Sequence, residues 1–270
     1  MRLGVQVIAF LGVLGCAIPS ALAFGPTGHR LVGVVAEKYL CADAKREIDL
    51  LLNGETLARA GLWPDWIRSK AQWEHSKPWH YINVDDDEPV EGVTGQVDGD
   101  VIQAIIRFRA ELADERLDAE RRANALRFLA HFVADVHQPL HVGRASDRGG
   151  NTISMRVAGK KTNLHALWDA ESLLQMDGLK FNDEVRLLAA LAEADSQAIR
   201  AAGPLEWARE SQALRGFVYA FPSRQRGFPV EPDAAYLSAA RTIIRLRLAQ
   251  AAARLARQLN DIFCEPGRAR

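Results

Sequence analysis

Long apolar runs are scarce in this chain. The one candidate, Leu3 to Ile18, is interrupted by Gln6 and by glycines. It falls short of the roughly 20 residues needed to span a bilayer. Arg2 ahead of it and Ala21-Leu22-Ala23 behind it read as a secretory signal peptide over residues 1–23, with cleavage before Phe24. The expected location is secreted or periplasmic. An excess of one charge is missing too: Lys+Arg and Asp+Glu are both 34, so the net charge is zero. That excludes a strongly basic nucleic-acid clamp, so a chain like this that handles a polyanion must draw positive charge from elsewhere. Cysteine is sparse. Of Cys16, Cys41 and Cys264, the first would leave with the signal peptide. A lipobox reading of Leu14-Gly15-Cys16 is disfavoured by the bulky Leu14. In an oxidising compartment Cys41 and Cys264 could pair, tying the first helix to the last, or stay separate thiols.

What is present is ordinary globular material, 48% apolar and 25% charged, which excludes a disordered chain, a collagen and a simple coiled coil. The 270 residues allow one or two domains. With no internal repeat and no linker, residues 24–270 read as one all-α domain. Helical periodicity marks Pro26 to Cys41, Asp100 to Glu115, Ala119 to Val136 and Asp233 to Ile262. Phe181 to Ala201 and Leu205 to Tyr219 carry weaker stripes. Strand alternation is confined to Thr152 to Val157 before an Ala158-Gly159-Lys160 turn, which predicts a small β-hairpin. Asp85 to Gly99, Gly143 to Gly150 and Phe221 to Asp233 read as loops. Asp85-Asp86-Asp87-Glu88 looks metal-binding at first sight, but a solvated acidic loop is the better reading.

Histidine is where the chemistry concentrates. His131 and Asp135 lie four residues apart and share one helix face. Pro139 then ends or kinks the helix and lets His141 return from another direction. His165 and Asp169 repeat the spacing on a segment opened by Asn163, a helix N-cap residue. A carboxylate on an apolar helix needs a charge partner. Imidazole and carboxylate donors without thiolate suit zinc at a catalytic site. Asp65 among tryptophans, His80 among aromatics, and His29 five residues after the expected mature terminus add further donors. A free Phe24 amine, with a pKa near 8, could serve as a nitrogen ligand beside its own carbonyl.

Together and in this order, Phe24-Gly25-Pro26-Thr27-Gly28-His29, Pro64-Asp65-Trp66-Ile67-Arg68, His80-Tyr81-Ile82-Asn83, the His131 to His141 run, Gly149-Gly150-Asn151 and Asn163 to Asp169 resemble the zinc-dependent, single-strand-preferring nucleases of the S-one and P-one family. The resemblance covers essentially the whole mature chain. It implies the helical fold shared by those nucleases and phospholipase C, with three zinc ions in a cleft. Residue by residue, it implies one zinc on Asp65, His80 and His131. A second would sit on the Phe24 amine and carbonyl with His29, Asp135 bridging the two, and a third on His141, His165 and Asp169. Asp65, Arg68 and Asp135 would carry the catalytic roles, with Arg68 on phosphate. Tyr81 would stack on a base, and Asn83 and Asn151 would bond base edges. His137 matches a position that is not a ligand, and His75 matches none. Two departures stand out: Phe24 replaces a usual tryptophan, and Asn83 replaces a frequent aspartate, which leaves base preference open. The implied activity is endonucleolytic hydrolysis of single-stranded DNA and RNA to 5′-phosphate products, with 3′-nucleotidase activity as a companion expectation. The chain is expected to act as a monomer. A zinc phospholipase C and a non-catalytic zinc protein are the alternatives.

Overall fold

Most of the chain winds into helices, as the periodicity requires. The computed structural model describes residues 24–169, 171–194, 203–221 and 228–264. The expected signal peptide with Cys16, the far end of the helix read to Ala201, and part of the loop after Phe221 lie outside the described residues. In chain order the helices are α1 (Gly25–Lys38), α2 (Ala42–Leu52), α3 (Leu57–Ala60), α4 (Trp63–Ile67), α5 (Val90–Val93), α6 (Val101–Ala113), α7 (Ala119–His137), α8 (Leu164–Trp168), α9 (Glu171–Gln175), α10 (Phe181–Ala194), α11 (Pro204–Ala213), α12 (Arg215–Val218) and α13 (Ala234–Phe263). Short 3₁₀ segments run over Ala71–His80, Pro139–His141 and Ala145–Asp147.

The long helices start where a side chain satisfies the free N–H groups of the first turn. Asp100 accepts from Ile102 and Gln103, Asp118 from Arg121, and Asp233 from Tyr236. The segment read as Leu205 to Tyr219 is two helices, α11 and α12, broken at Leu214. Helix α2 was not anticipated, although Ala44, Ile48 and Leu52, spaced by four, form its buried stripe.

Helix α7 is the centre of the molecule. It packs against α6, α11, α13, α3, α4 and α1, and every residue from Phe128 to His137 is buried. A helix enclosed on all sides cannot send its polar residues to water, so His131, Asp135 and His137 sit in a dry interior. At the chain ends, Cys41 and Cys264 form a disulfide with Cα atoms 6.6 Å apart. Asn260 reinforces the junction by donating to the Tyr39 carbonyl and accepting from the Cys41 N–H.

The expected hairpin is present as β3 (Ser154–Val157) paired antiparallel with β4 (Lys160–Asn163). Ala158 and Gly159 both have positive φ, 48° and 76°, as a two-residue type I′ turn requires. Lys160 therefore opens the second strand instead of completing the turn. Strand structure is not confined to this hairpin. Ile82–Asn83 (β1) pairs parallel with Val142–Gly143 (β2), two segments too short to leave any alternation in the sequence. This pair brings the segment after His80 beside the segment after His141.

Candidate metal centre

Eight side chains from six segments converge at the buried end of α7. Helix α1 supplies His29, α4 supplies Asp65, and the 3₁₀ segment ending at His80 supplies that histidine. Helix α7 carries His131 and Asp135 one turn apart. After Pro139, the following 3₁₀ turn brings in His141. Helix α8, capped by Asn163 accepting from the Ala166 N–H at 2.7 Å, presents His165 and its C-terminal neighbour Asp169.

These donors fall into three groups able to hold a cation: Asp65, His80 and His131; His29, His131 and Asp135; and His141, His165 and Asp169. Around the first group, His131 Nε2 lies 3.0 Å from His80 Nδ1 and 3.2 Å from Asp135 Oδ2. His80 Nδ1 lies 3.1 Å from the same oxygen. Asp65 Oδ1 is 3.8 Å from His131 Nε2 and 4.0 Å from His80 Nδ1. A tetrahedron around a zinc with bonds of 2.0–2.1 Å has edges of about 3.3 Å, so these spacings are those of a ligand shell. The other oxygen of Asp135 faces His29 Nε2 at 3.5 Å, so one carboxylate reaches two groups. In the third group His165 Nε2 is 3.6 Å from Asp169 Oδ1.

The histidine protons settle whether these residues suit a metal. His131 Nδ1 lies 2.7 Å from the Gly61 carbonyl, His165 Nδ1 2.7 Å from the Gly149 carbonyl, and His141 Nδ1 2.5 Å from the His80 carbonyl. A carbonyl only accepts, so each Nδ1 carries the hydrogen and each neutral ring turns an Nε2 lone pair inward. His141 Nε2, Asp65 Oδ1 and Asp135 Oδ1 are buried without a hydrogen bond. Lone pairs crowded this closely in a dry site need a cation.

Protonation follows the same logic. Burial, then the charges of His131 and Arg68, holds His80 well below the ordinary 6.5. Burial and His165 do the same to His141, and burial pushes His165 down to about 4. Burial would lower His131 as well, but the Asp135 and Asp65 carboxylates overturn it and move that group up. Burial lifts Asp135 to about 6 and Asp169 well above the carboxylate range. The His80, His141 and His165 rings are thus already neutral, as ligands must be.

The other anticipated residues sit around this core. Phe24 is buried, not frayed, and its side chain leaves only glycine room at position 28, where a Cβ would lie 2.7 Å from the Phe24 Cβ. Arg68 Nη1 stands 3.4 Å from Asp65. Tyr81 is 41% exposed beside buried His80. Asn83 lies in β1 against Gly143. Asn151 donates to the Arg148 carbonyl at 2.8 Å, which leaves its oxygen free to face solvent. His137 turns away, with Nδ1 on the Val133 carbonyl and Nε2 2.8 Å from Arg254. His75 is exposed between Trp73 and Trp79. In the acidic loop, Asp86 pairs with Arg144 and Arg215, and the loop contributes to none of the three donor groups.

Sequence reasoning passed over Gln138, which is fully buried and donates to Asp169 Oδ1 at 3.0 Å while accepting from the Leu140 N–H. Its place before Pro139, at the end of a helix bearing two donors, was the available signal. Gly149, which the sequence offered as part of a motif without a role, gains one here: a Cβ there would lie 2.5 Å from the Leu140 carbonyl oxygen, and φ is +61°. Only glycine lets this loop come close enough to orient His165.

Comparison with known proteins agrees with this geometry. Residues 24–264 match the sequence model of the S1/P1 Nuclease family. The chain is 33% identical to Endonuclease 4 of Arabidopsis thaliana over 290 residues, covering 96% of this chain and 95% of that protein. It is 34% identical to Nuclease P1 of Penicillium citrinum over 154 residues, covering 54% and 57% of the two chains. It is 32% identical to Nuclease S1 of Aspergillus oryzae over 154 residues, covering 54% and 53%. A helical fold built around three cation-ready donor groups, aligned with such relatives over the described chain, makes this a metal-dependent phosphodiesterase that belongs to the S1/P1 nuclease family.

Proposed function

We propose that this chain is an exported, monomeric zinc enzyme that cleaves single-stranded DNA and RNA internally, leaving 5′-phosphate ends, and that it also removes 3′-phosphates from nucleotides. The observation that carries the reading is the cluster of inward lone pairs. Three histidines have their protons fixed outward by carbonyls, and the carboxylates between them sit at tetrahedral edge spacing. In this reading Asp65, His80 and His131 hold one zinc. His29 with the Phe24 amine and carbonyl holds another, Asp135 bridges the two, and His141, His165 and Asp169 hold the third. Bound there, zinc supplies Lewis acidity toward phosphoryl oxygens and activation of water.

The chain's own residues then do the rest. Three dications against Asp65, Asp135 and Asp169 leave the cleft positive, which explains how a chain of zero net charge attracts phosphate. Arg68 adds a guanidinium at the rim. Tyr81 offers an exposed ring for stacking, and Asn83 and Asn151 offer hydrogen-bonding groups to a base edge. A base held this way must leave its stack, which single strands allow freely and a duplex resists by a few kcal/mol. Export is supported by the family match beginning at residue 24 and by the disulfide.

The test is metal analysis of the purified mature protein alongside hydrolysis of single-stranded RNA, single-stranded DNA and duplex. Three zinc per chain and faster cleavage of single strands are expected. Equal rates on duplex, or activity that survives complete removal of metal, would overturn the proposal.

A further inference from the structure

Next to the metal centre of this chain of zero net charge lies a strongly basic stretch. Residues 144–161 contain Arg144, Arg148, Arg156, Lys160 and Lys161 against a single carboxylate, Asp147. Asp147 is committed to its own loop, accepting from the Gly150 N–H at 2.7 Å. Arg144 pairs with Asp86 and Arg156 with Glu231. Arg148, Lys160 and Lys161 are exposed and have no ion pair among the described residues.

Two features of this stretch carry a structural cost. Arg156 and Lys161 are direct cross-strand partners, an arrangement that is destabilising for like charges. Arg148 holds φ 56° and ψ 47°, a left-handed conformation that glycine or asparagine would adopt with less strain. The cationic side chain is kept where the backbone disfavours it, beside Gly149 and Asn151.

The ridge is also rigidly coupled to the metal centre. Met155 is buried, so Arg156 and its partner Lys161 face outward. Lys161 shares that face with Asn163, two residues on and about 7 Å along the strand. Asn163 caps the helix bearing His165 and Asp169. At the other end, the Gly149 carbonyl beside Arg148 fixes His165.

Lys160, next along the strand, points to the opposite face; we propose that Arg148 and Lys161 form a phosphate-binding rail for single-stranded nucleic acid, engaging backbone phosphates beyond the scissile bond on the Asn151 side of the cleft. This rests on the reading of the metal centre as the site of phosphodiester cleavage. The occupant follows from charge: two exposed cations on a fixed scaffold complement a polyanion whose next phosphates must pass the rim of the site. Each phosphate contact on a single strand contributes about −0.7 to the slope of log affinity against log salt.

The experiment compares the zinc-loaded mature protein with a variant carrying Arg148→Gly and Lys161→Gln. The substrates are a dinucleotide, too short to reach the rail, and a single-stranded oligonucleotide of about a dozen nucleotides, comparable to the spans that single-strand grooves accommodate. For the oligonucleotide, kcat/KM should fall about tenfold or more at low salt, and the log–log salt slope should become shallower by about 1.4. Dinucleotide cleavage should fall far less, so the ratio of the two rates collapses. A second variant, Arg148→Gly with Lys161→Glu, should deepen the loss on the oligonucleotide without lowering the melting midpoint, because position 161 faces Arg156 across the hairpin. An unaltered ratio and salt slope would refute the rail while leaving the catalytic reading intact. An equal fall on both substrates would assign these residues to folding and refute it as well. If the zinc-loaded wild type cleaves neither substrate, the nuclease reading fails first and the rail with it.

Discussion

Replacing Asp135 by asparagine should invert the stability order of the protein according to whether metal is present. Burial lifts the Asp135 carboxyl from 3.8 to about 6 in the metal-free fold. A raised carboxyl pKa means that the folded state binds the proton more tightly than the unfolded state. The resulting destabilisation is absent below the unfolded value, grows between about 4 and 6, and is complete at neutral pH. The shift corresponds to roughly 3 kcal/mol carried by the metal-free wild type at pH 7. Asparagine has the same shape and no charge. Its amide N–H can donate toward the inward lone pairs of His80 and His131, which stand 3.1 and 3.2 Å from Asp135 Oδ2. In chelator at pH 7, Asp135→Asn should therefore melt higher than wild type. With zinc the order reverses, because a neutral amide is a poor ligand and Asp135 turns its two oxygens toward different donors, Oδ1 toward His29 and Oδ2 toward His80 and His131. Altering even an outer-shell partner costs ten- to a hundredfold in metal affinity, so losing the bridge should cost at least that, remove one or more zinc ions and abolish turnover. The assay is a pair of melting curves, with chelator and with zinc, alongside metal analysis and single-strand hydrolysis. Full zinc occupancy at wild-type rate would refute the bridging role, and a variant that melts lower under both conditions would refute the electrostatic argument.

Tyr81→Ala should keep the full zinc complement and lower kcat/KM on single strands roughly ten- to a hundredfold, the value of one base stack; an unchanged rate on oligonucleotides would show that the base is held elsewhere. A protein extended by a few residues before Phe24 should fold, lose the zinc that depends on the free amine, and hydrolyse far more slowly, as zinc analysis against a mature-start protein would reveal. Cys41→Ser should lower stability by roughly 2–5 kcal/mol in denaturant titration without changing zinc content, because the bridge closes a loop of sequence separation 223. Zinc affinity should weaken as pH falls below about 6, where protons compete for Asp135. The imidazoles of His80, His141 and His165 are already neutral, so calorimetry in buffers of different ionisation enthalpy should trace the released protons to the carboxyl groups and to His131, which its carboxylate neighbours shift up; affinity constant from pH 7 to 5 would contradict this.

The donors most legible from sequence were those paired locally. His131 with Asp135 and His165 with Asp169 are four residues apart on helices, and helical geometry alone places such pairs on one face. The hairpin and the capped starts of the long helices were readable for the same reason, since each is written within a few neighbouring residues. Tertiary structure decided what spacing cannot carry. Asp65, His80 and His29 join α7 only because separate segments pack around its buried end. The choice of inward nitrogen on His131, His141 and His165 is made by the carbonyls of Gly61, His80 and Gly149, and a backbone carbonyl has no signature in the sequence because every residue has one. Gln138 holding Asp169, β1 lying beside β2, and Cys41 meeting Cys264 are likewise long-range outcomes. The chain encodes ligand chemistry locally, while the cation-ready geometry arises when a dry core brings the distant donors of each group within 4.8 Å of one another.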